Sequence, residues 1–131
     1  RFTLLDQAPL DAFLPRCERE GVAIVIGAPF NSGILARGAV EGATYGYETA
    51  PPEIFARVKG IEDVCRAHGV PIAAAALQFP LMHPSVVSVI PGMSSPEQLN
   101  WNVQRMKQPI PPALWADLKA QVLLHPGAPV P

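Results

Sequence analysis

The sequence is poor in charge, in aromatic residues and in cysteine, and it contains no long apolar run. Only 16% of its 131 residues are charged and 7% are aromatic, with ten basic against eleven acidic residues and a formal net charge of −1. So balanced a chain offers no electrostatic footprint for nucleic acid or an anionic membrane surface, and neither is expected as a partner. No stretch approaches the ~20 apolar residues of a membrane span. The opening Arg1-Phe2-Thr3-Leu4-Leu5-Asp6 carries neither the apolar segment nor the small-residue cleavage site of a secretory signal, so a cytoplasmic location is the expectation. Cys17 and Cys65 lack the spacing of a zinc or redox motif, which predicts buried, reduced thiols rather than a disulfide scaffold. His68, His83 and His125 show no ligand spacing either, and no metal site is predicted. His68, at a helix end, is expected to interact with that helix's last carbonyls.

What the chain does have is apolar content, 49%, enough for a substantial core, and 16 prolines, well above an average share of about 5%. The prolines are spread out and punctuate elements rather than forming a polyproline tract. Nothing divides the chain, so residues 1–131 are expected to form one domain, about half the ~250 residues of a complete (β/α)₈ barrel.

Leu10, Phe13, Leu14 and Cys17 recur at helical spacing and predict a first helix that starts near Asp11, or kinks at Pro15, and stops at Gly21. The run Val22-Ala23-Ile24-Val25-Ile26 predicts a strand covered on both faces, as in parallel sheets, with a loop over 27–33 after it. The Gly-rich stretch 37–50, with Tyr45 and Tyr47 inside, predicts a mobile surface loop, either a lid or simply exposed. Pro51-Pro52 opens a helix with Ile54, Val58, Ile61 and Cys65 inward and Gly69 as its stop, and Pro71 starts another from 72 to about 79. Ser85-Val86-Val87-Ser88-Val89-Ile90 is the second clear strand, and a third is read at 2–5. Ser95, Pro96 and Gln98 fit the N-cap, N1 and N3 positions of a capping box, opening a helix with Leu99, Val103 and Met106 inward. A last helix over about 112–124 carries Leu114, Trp115, Leu118 and Val122 inward, before a coil tail at 125–131. The alternation predicts an α/β fold with parallel strands. Two or three strands cannot close a barrel but can form part of one, and their open edges should need either the rest of a barrel or self-association.

Both strands lead into loops of small and hydroxyl residues, 27–33 and 92–95, the second at a helix start. Unpaired N–H groups at such a start suit phosphate, and barrels build phosphate sites from the loops after strands seven and eight. An ordinary capped helix has the same pattern.

The string Val89-Ile90-Pro91-Gly92-Met93-Ser94-Ser95-Pro96-Glu97-Gln98-Leu99-Asn100-Trp101-Asn102 resembles the last strand and cofactor-binding helix of the aldo-keto reductases. Ala28-Pro29-Phe30-Asn31-Ser32-Gly33-Ile34-Leu35 resembles their seventh-strand loop. Residues 73–84, the segment Ile110-Pro111-Pro112-Ala113-Leu114-Trp115 and the ending Ala128-Pro129-Val130-Pro131 are similar to the branch of D-threo-aldose (L-fucose) and pyridoxal dehydrogenases. The resemblance covers essentially the whole chain. It implies the C-terminal half of a (β/α)₈ TIM barrel that interconverts a small-molecule alcohol and carbonyl, an aldose or an aldehyde, with NAD or NADP. The family's catalytic Asp, Tyr, Lys and His belong to earlier strands, so it implies no catalytic residue here.

What it implies for this chain is cofactor binding. Backbone groups at Ala28, Phe30 and Ser32 would contact the pyrophosphate, with Asn31 as an added polar candidate and the Gly92-Met93-Ser94 turn alongside, and Asn102 would meet the adenine amino group. Gly27 stands where an aromatic residue often stacks on nicotinamide. The basic residues common in NADP-preferring members are Gly92 and Gln98 here. Glutamine can hydrogen-bond a 2′-phosphate without neutralising it, so NAD is slightly favoured, and Arg105 lies a turn too far along to replace Gln98. Trp101 either flanks the adenine or belongs to the core. A catalytically silent half-barrel that binds nucleotide or self-associates is the alternative.

Overall fold

The computed structural model describes all of residues 1–131. Its first segment turns instead of extending. Thr3 Oγ1 accepts the backbone N–H groups of Leu5 (3.2 Å) and Asp6 (3.0 Å), and the Thr3 N–H donates to the Asp6 carbonyl (3.1 Å). These local bonds compete with strand pairing, so the third strand read at 2–5 does not form, although Phe2, Leu4 and Leu5 are buried.

A 3₁₀ turn, Ala8–Leu10, leads to α1 (Phe13–Arg19). The later start puts Pro15 in the first turn, where its missing N–H leaves no bond unmade. Leu14 and Cys17 are buried as predicted, but Phe13 is exposed and borders an open hollow with Ala23 to Ile26. Gly21 takes φ +66 and closes a Schellman motif, with Val22 N–H donating to Cys17 O (2.8 Å) and Gly21 N–H to Glu18 O (3.2 Å). Because the cap uses the Val22 N–H, β1 begins two residues later than predicted, at Ile24–Gly27.

β1 pairs in parallel with β4 (Val86–Ile90), matching Ile24 to Val86, Val25 to Ser88, Ile26 to Val89 and Gly27 to Ile90, so Val87 is passed over in an irregularity. The predicted cover on both faces is absent: Val25 is 52%, Val87 61% and Ile90 60% exposed. Two parallel strands leave two edges and a face that only further strands cover. Between them run α2 (Ile34–Arg37), α3 (Pro52–Ala67) and α4 (Ile72–Gln78), the last two within their predicted bounds. The stretch read as a mobile loop contains an antiparallel hairpin of β2 (Thr44–Tyr45) and β3 (Glu48–Thr49), whose turn residues Gly46 and Tyr47 both have positive φ, as a tight hairpin turn requires.

The core lies among the helices and the termini. Ala73 to Ala76 of α4 are all buried, and Phe79 lies in tilted contact with Phe2 on one side and Trp115 on the other, with ring centroids 5.1 and 6.1 Å apart. α5 (Pro96–Lys107) and α6 (Pro112–Ala120) complete the helices. α6 is shorter than predicted because Val122 adopts φ +57 and a second Schellman cap forms, with Leu123 N–H on Leu118 O (2.9 Å) and Val122 N–H on Lys119 O (3.0 Å). Val122 thus points outward, 80% exposed, rather than into the core. The coil tail is anchored through buried Gln7, whose Oε1 accepts the His125 N–H at 2.6 Å. The His68 side chain meets Asp117 of α6 (Nε2 to Oδ2, 2.6 Å), while its backbone N–H donates to the carbonyls of Val64 (3.3 Å) and Cys65 (3.1 Å) at the end of its own helix. Leu99, Val103 and Met106 are exposed rather than inward, lining an open groove of about 340 Å³ along β4 and α5. No helix is long and apolar enough to cross a membrane.

Candidate cofactor site

Because β1 and β4 run parallel as neighbours, the loops that follow them leave on the same side. The rings of Phe30, after β1, and Trp101, on α5, lie 6.2 Å apart and join the two loop regions.

The β1 loop is backbone-strained. Ala28 (φ +53), Asn31 (+49) and Ser32 (+64) are non-glycine residues in the left-handed region within five positions. Such conformations cost energy, persist only where their surroundings enforce them, and cluster at ligand sites. The Asn31 N–H donates to Ala28 O (3.2 Å) and the Gly33 N–H to Phe30 O (3.0 Å), while the N–H groups of Ala28, Phe30 and Ser32 find no acceptor in the chain. These are the three backbone groups that the sequence resemblance implicates. Closely spaced unpaired donors are what an anionic oxygen satisfies, so the residues present fit a diphosphate.

After β4, the N–H groups of Gly92 and Met93 are also unpaired, and both residues are exposed. Ser95 caps α5 as predicted, its Oγ accepting the Gln98 N–H at 3.2 Å. The reciprocal half of the box differs, for Gln98 Oε1 accepts the N–H (2.7 Å) and hydroxyl (3.3 Å) of Ser94 rather than the N–H of Ser95. The carbonyl end of Gln98 is thus engaged in the turn, no cationic side chain lies between 92 and 98, and Glu97 adds negative charge in the first helical turn.

Asn31, expected as an added polar contact, is tied into the protein by its side chain. It is buried, its Nδ2 donates to the Asp6 carboxylate, and its Oδ1 has no partner. Trp101 is half-buried between Phe30 and Arg105, whose guanidinium carbon stands 4.8 Å from the centre of the Trp101 ring. This cation–π contact commits Arg105 to the tryptophan. Asn102 is buried in α5, its side-chain amide makes no hydrogen bond within the chain, and it borders the groove with Met93 and Leu99.

Sequence reasoning missed the groups that hold the β1 loop. Tyr45 Oη–H donates to Asp6 Oδ1 (2.7 Å), and that hydrogen bond, with burial, raises the tyrosine pKa above its ordinary value. Ser32 Oγ accepts the Tyr47 N–H (3.0 Å) and Ser32 O accepts the Thr44 hydroxyl (2.9 Å). The string Thr44-Tyr45-Gly46-Tyr47-Glu48-Thr49, β-formers around a glycine, was a hairpin signal. Nothing local marks Asp6, whose partners lie 25 and 39 positions away.

The sequence pattern of the aldo/keto reductase family matches residues 1–122. The chain belongs to the aldo/keto reductase family. Pyridoxal 4-dehydrogenase of Microbacterium luteolum is 44% identical over 124 residues, 95% of this chain and 36% of that protein. D-threo-aldose 1-dehydrogenase of a Pseudomonas species is 41% identical over 119 residues, 90% of this chain and 36% of that protein. An aldo-keto reductase of Bacillus halodurans superposes with a TM-score of 0.71 in its apo form and 0.68 in its holo form, at 27% and 25% identity, over 95% of this chain and 42% and 41% of those chains. This aldo/keto reductase chain thus spans little more than a third of the curated relatives' length, and its parallel strands and surrounding helices are an α/β portion of the family's TIM barrel.

Proposed function

We propose that the chain supplies the pyrophosphate- and adenosine-binding part of an NAD(P)-dependent oxidoreductase that interconverts an aldose or aldehyde-type carbonyl and its alcohol, with proton transfer performed by residues outside these 131. The observation that carries this reading is the set of unpaired N–H groups at Ala28, Phe30 and Ser32 on a strained loop beside the equally unpaired Gly92 and Met93. Those donors would hold the diphosphate oxygens, and the free amide of Asn102 would recognise the adenine edge. When bound, the nicotinamide supplies the hydride acceptor or donor. With no cation from 92 to 98 and with Glu97 present, a ribose hydroxyl is accommodated more readily than a 2′-phosphate, which favours NAD slightly.

Titration of the chain with NAD and with NADP, followed by the fluorescence of Trp101 and Trp115, tests this. We expect saturable quenching by both, with NAD at least as tight. Tighter NADP binding would overturn the preference, and no response to either would overturn the cofactor role. The exposed Val25, Val87 and Ile90 favour a second reading, a silent half-barrel that self-associates. A concentration-dependent mass by light scattering without any dinucleotide response would select it.

A further inference from the structure

We propose that Asp6 is a positioning residue for the dinucleotide site, its carboxylate tying Asn31 to Tyr45 and so fixing the strained 28–32 loop to the 44–49 hairpin. The inference rests on the reading of that loop as the pyrophosphate holder. Each carboxylate oxygen has its own donor: Oδ2 accepts from Asn31 Nδ2, and Oδ1 accepts the Tyr45 hydroxyl at 2.7 Å, with the Arg1 guanidinium 3.7 Å from Oδ2. Three segments remote in sequence meet on this one side chain.

The orientation of Asn31 shows what Asp6 demands. The asparagine is 1% exposed and leaves its Oδ1 without a donor, so its amide is turned to keep the nitrogen on the carboxylate. A flipped amide would set an oxygen lone pair against the negative charge. Asn31, held at φ +49 with Ser32 beside it at φ +64, lies between the Phe30 and Ser32 N–H groups that are left without an acceptor in the chain. On the hairpin side, Ser32 is gripped directly by the Tyr47 N–H and the Thr44 hydroxyl. Loop and hairpin are therefore joined at two points, Ser32 and Asp6, and only Asp6 also reaches the opening segment, whose backbone is set by Thr3. The raised pKa of Tyr45 keeps its hydroxyl proton in place for this contact.

Asp6→Asn preserves volume while removing the charge and one acceptor, and Tyr45→Phe removes only the hydroxyl. Hydrogen exchange by mass spectrometry on the full chain reads the loop directly, and NAD titration reads the site. We expect Asp6→Asn to speed exchange across 28–49 about tenfold and weaken NAD about tenfold, as losing one charge-assisted hydrogen bond implies, with α3 and α6 unaltered. Tyr45→Phe should act in the same direction but less, and the double variant should be no worse than Asp6→Asn, because both break one link. Unchanged exchange in 28–49, an equal rise in α3 and α6, or unchanged NAD affinity in a chain whose wild type binds NAD would each overturn the proposal. If the wild type takes up no NAD, the cofactor reading falls, and the exchange comparison alone upholds or overturns the hold of Asp6 on the loop.

Discussion

Replacing Gly38 by alanine tests how the base of the 38–50 loop is held. Gly38 ends α2 at φ +85 and ψ −169, a region that essentially only glycine occupies, and forcing another residue into it costs about 1–3 kcal/mol. A Cβ there would also lie 2.6 Å from Glu62 Oε1 and 2.8 Å from its carboxyl carbon. Glu62 cannot simply swing away, because its Oε2 accepts the Ala39 N–H at 3.3 Å and its Oε1 meets Arg66 at 3.4 Å. Losing the hydrogen bond adds about 1 kcal/mol, and the stiffer unfolded chain returns about 0.5–1 kcal/mol. The net expectation is a destabilisation of about 1–3.5 kcal/mol in urea unfolding. Gly42→Ala is the control, since φ is +75 but no atom lies within 4 Å of the place its methyl group would take, so it should cost the backbone strain of about 1–2 kcal/mol less the same unfolded-state return, a net of about 1 kcal/mol or less. Equal losses in the two variants would refute the role given to Glu62.

Val122→Gly should stabilise the chain by about 0.5–1 kcal/mol, because a β-branched residue at φ +57 is strained by about 1–2 kcal/mol and its side chain, 80% exposed, gives up little burial. A rise of about 2–4 °C in thermal midpoint is the readout, and a fall would show that the left-handed cap carries no strain. The Cys65 thiol is pushed up to about 12 by burial and by the nearby Glu62 carboxylate. A pKa raised in the folded state leaves its stability contribution intact below the ordinary value of 9.0 and removes it as pH rises toward about 12. Denaturant midpoints should therefore fall across that alkaline window, and less so in Cys65→Ala once its lower baseline is taken into account. A thiol reagent at pH 8 should find Cys65 unreactive until unfolding, and prompt labelling of the native chain at Cys65, located by mass spectrometry and so distinguished from Cys17, would contradict its burial.

Much of the fold was legible because its signals are local. Pro51-Pro52, Pro71 and Pro96 mark helix starts that the structure keeps, and Gly21 and Gly69 mark left-handed caps. Local reasoning failed where a backbone group had two claimants. Val22 looked like strand, but its N–H belongs to the α1 cap; residues 2–5 looked like strand, but the Thr3 side chain takes their donors. Val122 fits an inward helical stripe, yet α6 closes at Gln121 and turns it outward. Strand and helix faces counted as buried, at Val25, Val87, Leu99 and Val103, were correctly apolar, but two strands cannot cover them. In the candidate site the loop after the first strand was legible from its small and polar residues, whereas the Asp6, Asn31 and Tyr45 contacts were not, because no spacing rule links positions 25 and 39 residues apart.

The β1 loop also bears on whether the chain is a ligand site or only a scaffold. A loop whose sole task is to connect β1 to α2 is free to pair its own N–H groups and to place glycine wherever φ is positive, which relieves strain at no loss of function. Here Ala28, Asn31 and Ser32 are held left-handed without glycine, three N–H groups stay unpaired, and a carboxylate, a tyrosine hydroxyl and a hairpin amide from distant segments are engaged in keeping them so. The left-handed residues and the unpaired donors oppose stability while the hydrogen bonds of Asp6, Tyr45 and Tyr47 hold them in place; together they leave closely spaced donors that a bound diphosphate would complete, returning the strain as preorganisation. NAD should accordingly stabilise the chain beyond what the proposed contact with Asn102 would add, and it should do so most where exchange reports the 28–32 backbone. Protection that instead spreads evenly over α3, α4 and α6 would mean that the strained loop serves the fold and not a ligand.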